Sequence, residues 1–379
     1  MEYEKICKGC GSGNVIKKGK RKNKYGVVQK YFCNNCSKYF ILKKLEKKVY
    51  SAKVIIQAIS YYNLGYSLDE SSKLINKKFK VKVSSRAISN WLNEFEEVCG
   101  YYRIRDKAKG LFKPKDIIFK KIFRHLQLYK FRYHKAKIEF FVNKYFNGLK
   151  DYSADVSRNC PNELFKDSLR SSNIKLDIDI NKIKVFKKEN YACKLASLAL
   201  ESASKNSERH DKLQEFMLAN DTCTIATEVP VYLFLNEIKQ YGVFDLFENS
   251  IKNNTLNKKP NNEKIFKNNT AITGHIDFVQ LKFGSVYVLD YKPDADRVSA
   301  VSQLFVYALA LSVRTGIWLR NFRCAWFDEN GYYEFVPSDI VLRFCNVPQH
   351  RVREFFVRNK ERRYFTSIEF HEKNEQGVE

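Results

Sequence analysis

No window of the 379-residue chain reaches the ~18 consecutive apolar residues that span a bilayer, and the opening MEYEKICKGC has no apolar core like that of a signal peptide. The sequence therefore predicts a soluble, intracellular, cytoplasmic protein without a membrane partner. Acidic charge is scarce in one place. Residues 1–150 hold 11 Asp and Glu against 36 Lys and Arg, whereas residues 151–379 hold 31 against 32. The two parts carry +25 and +1, which sum to the +26 of the whole. A cationic excess so confined marks a polyanion footprint, with nucleic acid favoured over an anionic membrane. A disulfide framework is missing too, because six of the ten cysteines (Cys99, Cys160, Cys193, Cys223, Cys324, Cys345) are scattered singly. That usage fits a reducing compartment. What is present is enough apolar material, 44% hydrophobic and 15% aromatic, for two or three domains.

The other four cysteines are ordered. Cys7, Cys10, Cys33 and Cys36 form two C-x2-C pairs separated by 22 residues. Each pair can offer two thiolates to one tetrahedral ion, and a β-hairpin between them would bring the pairs together. One structural Zn2+ is expected, with every position taken by protein and none open for chemistry. The hairpin tip would carry Lys17, Lys18, Lys20, Arg21, Lys22 and Lys24, suited to phosphate contacts that give affinity without reading sequence.

Three short helices follow. The first is expected at 52–63, with Val54, Ile55, Ala58, Ile59 and Tyr62 on one face and a stop at Leu64-Gly65. The second starts near Ser67 and carries Leu68, Ser71, Leu74 and Ile75. After KKFKVKV, Ser84 and Ser85 are N-cap candidates for a third helix striped by Ala87, Ile88, Trp91, Leu92 and Phe95. Its other face holds Arg86, Ser89, Asn90 and Asn93, a set able to bond base edges and phosphates in a major groove. The ribbon CKGCGSGNVIKKGK…YFCNNCSKYF with NLGYSLDESSKLI and SSRAISNWL resembles the N-terminal DNA-binding region of insertion-sequence transposases, over residues 1–96. Residues 101–150, basic and aromatic, read as one or two amphipathic helices linking the halves.

From Thr222 the pattern turns to strands: TCTIATEVPVYLFLN, TAITGHIDFVQLKF and SVYVLDYKP, then a helix near 298–314 and a hairpin of NFRCAWFD with YYEFVP. Asp290 and Lys292 are two apart on one strand and share a face. A turn centred on Phe283-Gly284 would set Asp277 opposite Asp290, with carboxylates ~5 Å apart. Facing like charges among Ile276, Phe278, Val288 and Leu289 call for compensation, which a cation with oxygen ligands such as Mg2+ or Mn2+ would supply.

Gly274-His275-Ile276-Asp277, Asp290-Tyr291-Lys292 and Gln303…Tyr307 resemble the G-x-x-D, D-x-K and Q-x-x-x-Y motifs of RecB-like PD-(D/E)xK nucleases, the group that includes CRISPR-associated adaptation exonucleases, over about residues 190–345. The resemblance implies that Asp277 and Asp290 bind the catalytic metal, that Lys292 positions or activates the attacking water, and that Gln303 and Tyr307 brace the site or touch DNA. It further implies a metal-binding His on a helix before the sheet, for which His210 is the candidate although a glycine usual ahead of it is missing, and an acidic position filled by Glu228. Some relatives carry an iron-sulfur cluster. Only Cys324 and Cys345 lie downstream here, so none is expected.

The expected fold is multidomain α+β. It comprises a zinc ribbon (1–48), a helix-turn-helix (49–98), a basic helical linker (99–188), a restriction-endonuclease-like α/β core with a mixed sheet (189–348) and a charged tail (349–379). The expected function is a Mg2+- or Mn2+-dependent deoxyribonuclease recruited to DNA by its front. The alternatives are a DNA-binding regulator or accessory transposition protein whose nuclease-like domain is a scaffold, and an RNA nuclease. A second copy of the chain or proteins of a mobile element are the other candidate partners.

Overall fold

The computed structural model describes residues 7, 10, 12–23, 26–40, 49–142, 145–203, 205–256 and 271–345. Lys24 and the expected charged tail lie outside these residues. The chain divides into two compact units, residues 1–115 with 190–222, and residues 116–189 with 223–379.

The first unit opens with a three-stranded antiparallel sheet, β1 (Val15–Asn23), β2 (Gly26–Cys33) and β3 (Tyr39–Phe40). Three helices follow, α1 (Ala52–Asn63), α2 (Leu68–Phe79) and α3 (Ser85–Glu94). α1 buries Val54, Ile55, Ala58 and Ile59 of the expected stripe, with Tyr62 half-buried. It stops where Gly65 takes φ +105, a backbone region that side-chain-bearing residues seldom enter. α2 starts with a capping box, Ser67 accepting from the Glu70 N–H while Glu70 accepts from the Ser67 N–H. The KKFKVKV connection is fastened to α2 by Asn76, which bonds both the N–H and the carbonyl of Val83. Ser84, and not Ser85, is the N-cap of α3, accepting from the Ala87 N–H at 3.2 Å. The helices Tyr191–Ala199 and Arg209–Asn220 belong to this unit, and buried Asn220 bonds Asn63 and Ser60 of α1.

The second unit is a nine-stranded mixed sheet. Its strands are β4 (Ile118–His125), β5 (Gln127–His134), β6 (Leu169–Arg170), β7 (Phe186–Lys188), β8 (Thr224–Phe234), β9 (Ala271–Lys282), β10 (Ser285–Tyr291), β11 (Phe322–Phe327) and β12 (Tyr332–Phe335). They run in the order β4-β5-β8-β9-β10-β11-β12-β7, with β6 beside β9. β10 is parallel to β11 and β6 to β9, whereas the other pairs are antiparallel. The helix Val301–Thr315 connects β10 to β11 and is buried along most of its length in one apolar core with the sheet. β8 to β12 and this helix fall where the alternating pattern set them.

Residues 101–150 depart from the expected pair of amphipathic helices. FKKIFRHLQLYKFRYH forms the β4–β5 hairpin, and only the flanks are helical (Tyr102–Leu111 and Lys135–Phe141). Two physical causes hid it. Its aromatic residues also satisfy helical spacing, and its turn has no glycine, because Leu126 itself takes φ +63. The segment thus joins the sheet, while the helices at 190–222, expected in the nuclease core, join the first unit.

Candidate functional site

In the first unit, the Cys7 Sγ lies 3.4 Å from Cys36 Sγ and the Cys10 Sγ 3.6 Å from Cys33 Sγ, with all four within 4.8 Å of one another. Zn–S bonds of ~2.3 Å require sulfurs ~3.8 Å apart at tetrahedral angles, so this quartet can hold one zinc ion. Among the described residues it is the only group of three or more His, Cys, Asp or Glu side chains so arranged. The β1–β2 ladder carries Cys33 at its end, opposite Val15, and the second knuckle closes as Cys33 accepts from the Ser37 N–H. Lys17 and Lys18 are exposed on β1. Lys20, Arg21 and Lys22 continue that strand, and nothing further is described of their side chains. Arg86, Asn90 and Asn93 stand exposed on α3 with Ser89 half-buried, on the side away from Ile88 and Trp91.

In the second unit, β9 and β10 meet at a two-residue turn in which Phe283 and Gly284 both have positive φ, the geometry that matches the twist of a tight hairpin. The register runs from Ser285 opposite Lys282 to Leu289 opposite Phe278. Continued by one rung, it pairs Asp290 with Asp277, as the spacing predicted. Both carboxylates are buried, Asp290 to 2% exposure, and the flanking Ile276, Phe278, Val288 and Leu289 of the two strands are buried as well. Asp277 Oδ2 accepts from the Tyr291 N–H at 3.0 Å, and a hydrogen bond between the two carboxyls ties Asp290 to Asp277. Lys292 Nζ lies 2.7 Å from Asp290 Oδ2, an ion pair that is the contact made by that buried oxygen.

The charges follow from this crowding. Burial first, and the Asp277 charge second, push the Asp290 carboxyl up to about 8, against the opposing pull of Lys292. Burial disfavours the charge on Lys292, but the Asp290 carboxylate outweighs it and the ammonium is held more firmly than usual. Without a cation the pair therefore shares a proton at neutral pH.

The remaining motif residues are joined by contact. Gln303 Nε2 donates to the Tyr307 hydroxyl at 2.9 Å, and burial raises that hydroxyl's pKa, with Asp290 adding to the rise. Tyr307 in turn packs on Gly274. A Cβ at Gly274 would lie 2.4 Å from Tyr307 Cε1 and 2.3 Å from Ser171 Oγ, so only glycine admits the tyrosine. The G-x-x-D and Q-x-x-x-Y elements are thus two halves of one contact. Glu228 stands on β8 at the rung of Asp277, between the pairs Thr227–Phe278 and Val229–Ile276, with φ +51 inside a strand. For a residue other than glycine that conformation is strained, and such strain gathers at functional sites. His210 lies on the helix Arg209–Asn220 in the other unit, not in the unit of the acidic pair.

A cluster that the sequence reading missed adjoins the pair. His275, the second residue of Gly-His-Ile-Asp, has its Nε2 2.9 Å from His125 Nδ1, and the Tyr129 ring stacks on it at 3.5 Å. His125 Nε2 meets Asn162 Oδ1 at 2.9 Å, and Arg170 donates to the Tyr129 hydroxyl. Burial lowers the pKa of both histidines, so both are neutral at pH 7. The carboxamide oxygen only accepts, so His125 carries its proton on Nε2, and His275 must donate Nε2–H to His125 Nδ1. His275 Nδ1 is then left unprotonated. Burial pushes the Tyr129 hydroxyl up, against the opposing pull of Arg170, and the charges of Glu228 and Asp277 add to the rise. His125 and Tyr129 escaped notice because their hairpin was read as helix.

Compared with protein-family models, with characterised proteins and with solved structures, the chain gives no match.

Proposed function

We propose that the second unit hydrolyses DNA phosphodiester bonds with a bound Mg2+ or Mn2+, and that the first unit recruits it to DNA. The observation that carries this reading is Asp290, a buried carboxylate set against a second buried carboxylate, with a single lysine to offset the two charges. Such an arrangement is unfavourable on its own. A divalent cation removes the repulsion. Two carboxylates suit Mg2+, which keeps several waters and completes its shell with substrate phosphate. Asp277 and Asp290 would hold it, with Glu228 on the adjoining strand as a further acid. When bound, the ion supplies charge to the phosphate and acidity to a water.

This chain's residues do the rest. Lys292, held as an ammonium by Asp290, orients the attacking oxygen and offsets charge developing on the phosphate. Tyr307, fixed by Gln303 and seated on Gly274, holds the β9 strand in place against the Val301–Thr315 helix. His210 is not assigned to this set.

In the first unit, the exposed Arg86, Asn90 and Asn93 of α3 and Lys17 and Lys18 of β1 are the proposed DNA contacts. The test is incubation of the purified chain with circular and linear DNA, with Mg2+, Mn2+ or a chelator. Metal-dependent cutting is expected. Binding without cutting in any metal would leave the alternative, a DNA-binding protein with a non-catalytic nuclease-like unit.

A further inference from the structure

The β4–β5 hairpin presents an outward surface that the fold does not use. β4 is an edge strand of the sheet. On the inner side of the hairpin Phe123, His125 and Phe131 are buried. On the outer side Ile122 is 64% exposed and Leu128 65%, and Leu126 at the turn is 67% exposed. Three exposed aliphatic side chains at one end of a hairpin are an unfavourable display unless something covers them. They alternate with cations. Lys120, Arg124 and Lys130 are exposed on the same side, with Ile122 opposite Lys130 and Arg124 opposite Leu128 in the register.

The turn is held close to the acidic pair. His125 bonds and Tyr129 stacks on His275, two residues before Asp277, so the strands on both sides of Leu126 are pinned to the strand that carries the acid. A polyanion engaging that site would meet the turn.

We infer that this hairpin is a wedge for DNA whose bases are unstacked beside the acidic pair, with Leu126, Leu128 and Ile122 against base faces and Lys120, Arg124 and Lys130 on the flanking phosphates. The inference rests on the nuclease reading and deepens it by naming the form of the substrate. Aliphatic groups gain nothing from phosphates, so what they bury on nucleic acid is a base face, exposed where the strand is frayed or parted. A second copy of the chain is the other conceivable occupant. Antiparallel pairing of two such edges would set cations against cations, which disfavours it.

The test uses the full-length protein and a duplex with 2-aminopurine beside a frayed end, compared with the same duplex closed by loops at both ends, without added divalent cation. The parent protein should raise 2-aminopurine fluorescence at the frayed end. The variant Leu126→Ser/Leu128→Ser should fail to do so at saturation and should bind the frayed duplex at least about tenfold more weakly, the change expected from losing the burial of one leucine. Affinity for the closed duplex should stay within about twofold. Leu126→Phe, which keeps an apolar tip, should retain the fluorescence change and serves as the folding control. Equal unstacking and affinity by parent and double variant would overturn the inference. So would a parent whose self-association in sedimentation disappears in the double variant while DNA binding is unchanged. A parent that unstacks the frayed end but cuts no DNA in Mg2+ or Mn2+ would support the wedge and remove the nuclease reading.

Discussion

The two units keep the charges that define their proposed sites in opposite places. In the first, the cations proposed to meet DNA, Lys17, Lys18 and Arg86, stand on the surface, and caps and a thiol quartet hold the local structure. In the second, the defining charges are inside, with Asp277 and Asp290 buried among aliphatic and aromatic side chains and Lys292 half-buried against them. Surface charge is cheap to place and interchangeable in detail, because solvent screens it. Buried charge is unfavourable at each position, so its residues are fixed by geometry. Substitutions should therefore act gradually in the first unit and abruptly in the second.

The sharpest test of that contrast is cleavage. Asp290→Asn and Lys292→Ala should each lower the cutting rate by about a thousandfold or more, while DNA affinity, measured by fluorescence anisotropy, stays near that of the parent. Neutralising single cations such as Lys17 or Arg86 should instead weaken binding by small steps and flatten its salt dependence, each phosphate contact lowering the slope by about one. If Asp290→Asn cuts at the parent rate, or if Arg86→Ala alone abolishes binding, the contrast collapses.

Removal of zinc comes next in size. A hydrogen bond with Cys7 raises the pKa of the Cys36 thiol to about 12, so that thiol stays protonated without metal and must release its proton to bind it. Chelation should melt the β1–β2 ladder, seen as loss of its amide signals in NMR, and reconstitution should grow more favourable as pH rises. Elemental analysis that finds no stoichiometric zinc would remove this reading.

The second unit should respond to pH through Asp290. Its carboxyl is raised from 3.8 in the unfolded chain to about 8 in the fold. The folded state therefore holds the proton more tightly. Its stabilising share is fully present below the unfolded value and is lost as pH rises through about 8. Within that window the metal-free protein should lose up to about 1.4 kcal/mol per pH unit. Asp290→Asn should flatten the dependence, and saturating Mg2+ should reverse it by favouring the ionised form. Denaturant melts at several pH values give the answer, and an unchanged slope in Asp290→Asn would dismiss the shared proton.

These residues also show what a sequence can disclose. The rung that joins Asp277 to Asp290 was legible because a two-residue turn and strict alternation leave one register, in which a slip by one residue would turn the apolar set to the wrong face. The zinc quartet and the α3 stripe were legible for the same reason, fixed spacing with one physical solution. The β4–β5 hairpin was not. Its turn depends on Leu126 in a left-handed conformation, for which local sequence gives no signal, and its strands are fixed by partners such as His275 and Asn162 far along the chain. The share of the site built on that hairpin was invisible with it, and the membership of residues 190–222 in the first unit depends on tertiary bonds such as Asn63 to Asn220.

The same contrast extends to packing. Gly274→Ala forces a Cβ into Tyr307 and Ser171, and overpacking of this kind costs about 1–3 kcal/mol. Because Tyr307 is also pinned by Gln303, cutting should fall along with stability. The smallest expected effect belongs to the first unit. Ser67→Ala removes the acceptor for the Glu70 N–H at the start of α2, a cap worth about 1 kcal/mol, whereas Ser67→Gly should lose only a few tenths. Glu70 accepts in return from the Ser67 N–H, and this hydrogen bonding holds its carboxyl below the usual value. The box should therefore weaken as pH falls through that lowered pKa, and because Ser67→Ala keeps the N–H that bonds Glu70, most of the difference between neutral and acid melts should survive in that variant. Since the cap lies in the unit whose charges are at the surface, DNA affinity should change little in either variant. A Ser67→Ala protein that loses DNA binding while its melting temperature holds would show that the start of α2 is itself part of the contact surface.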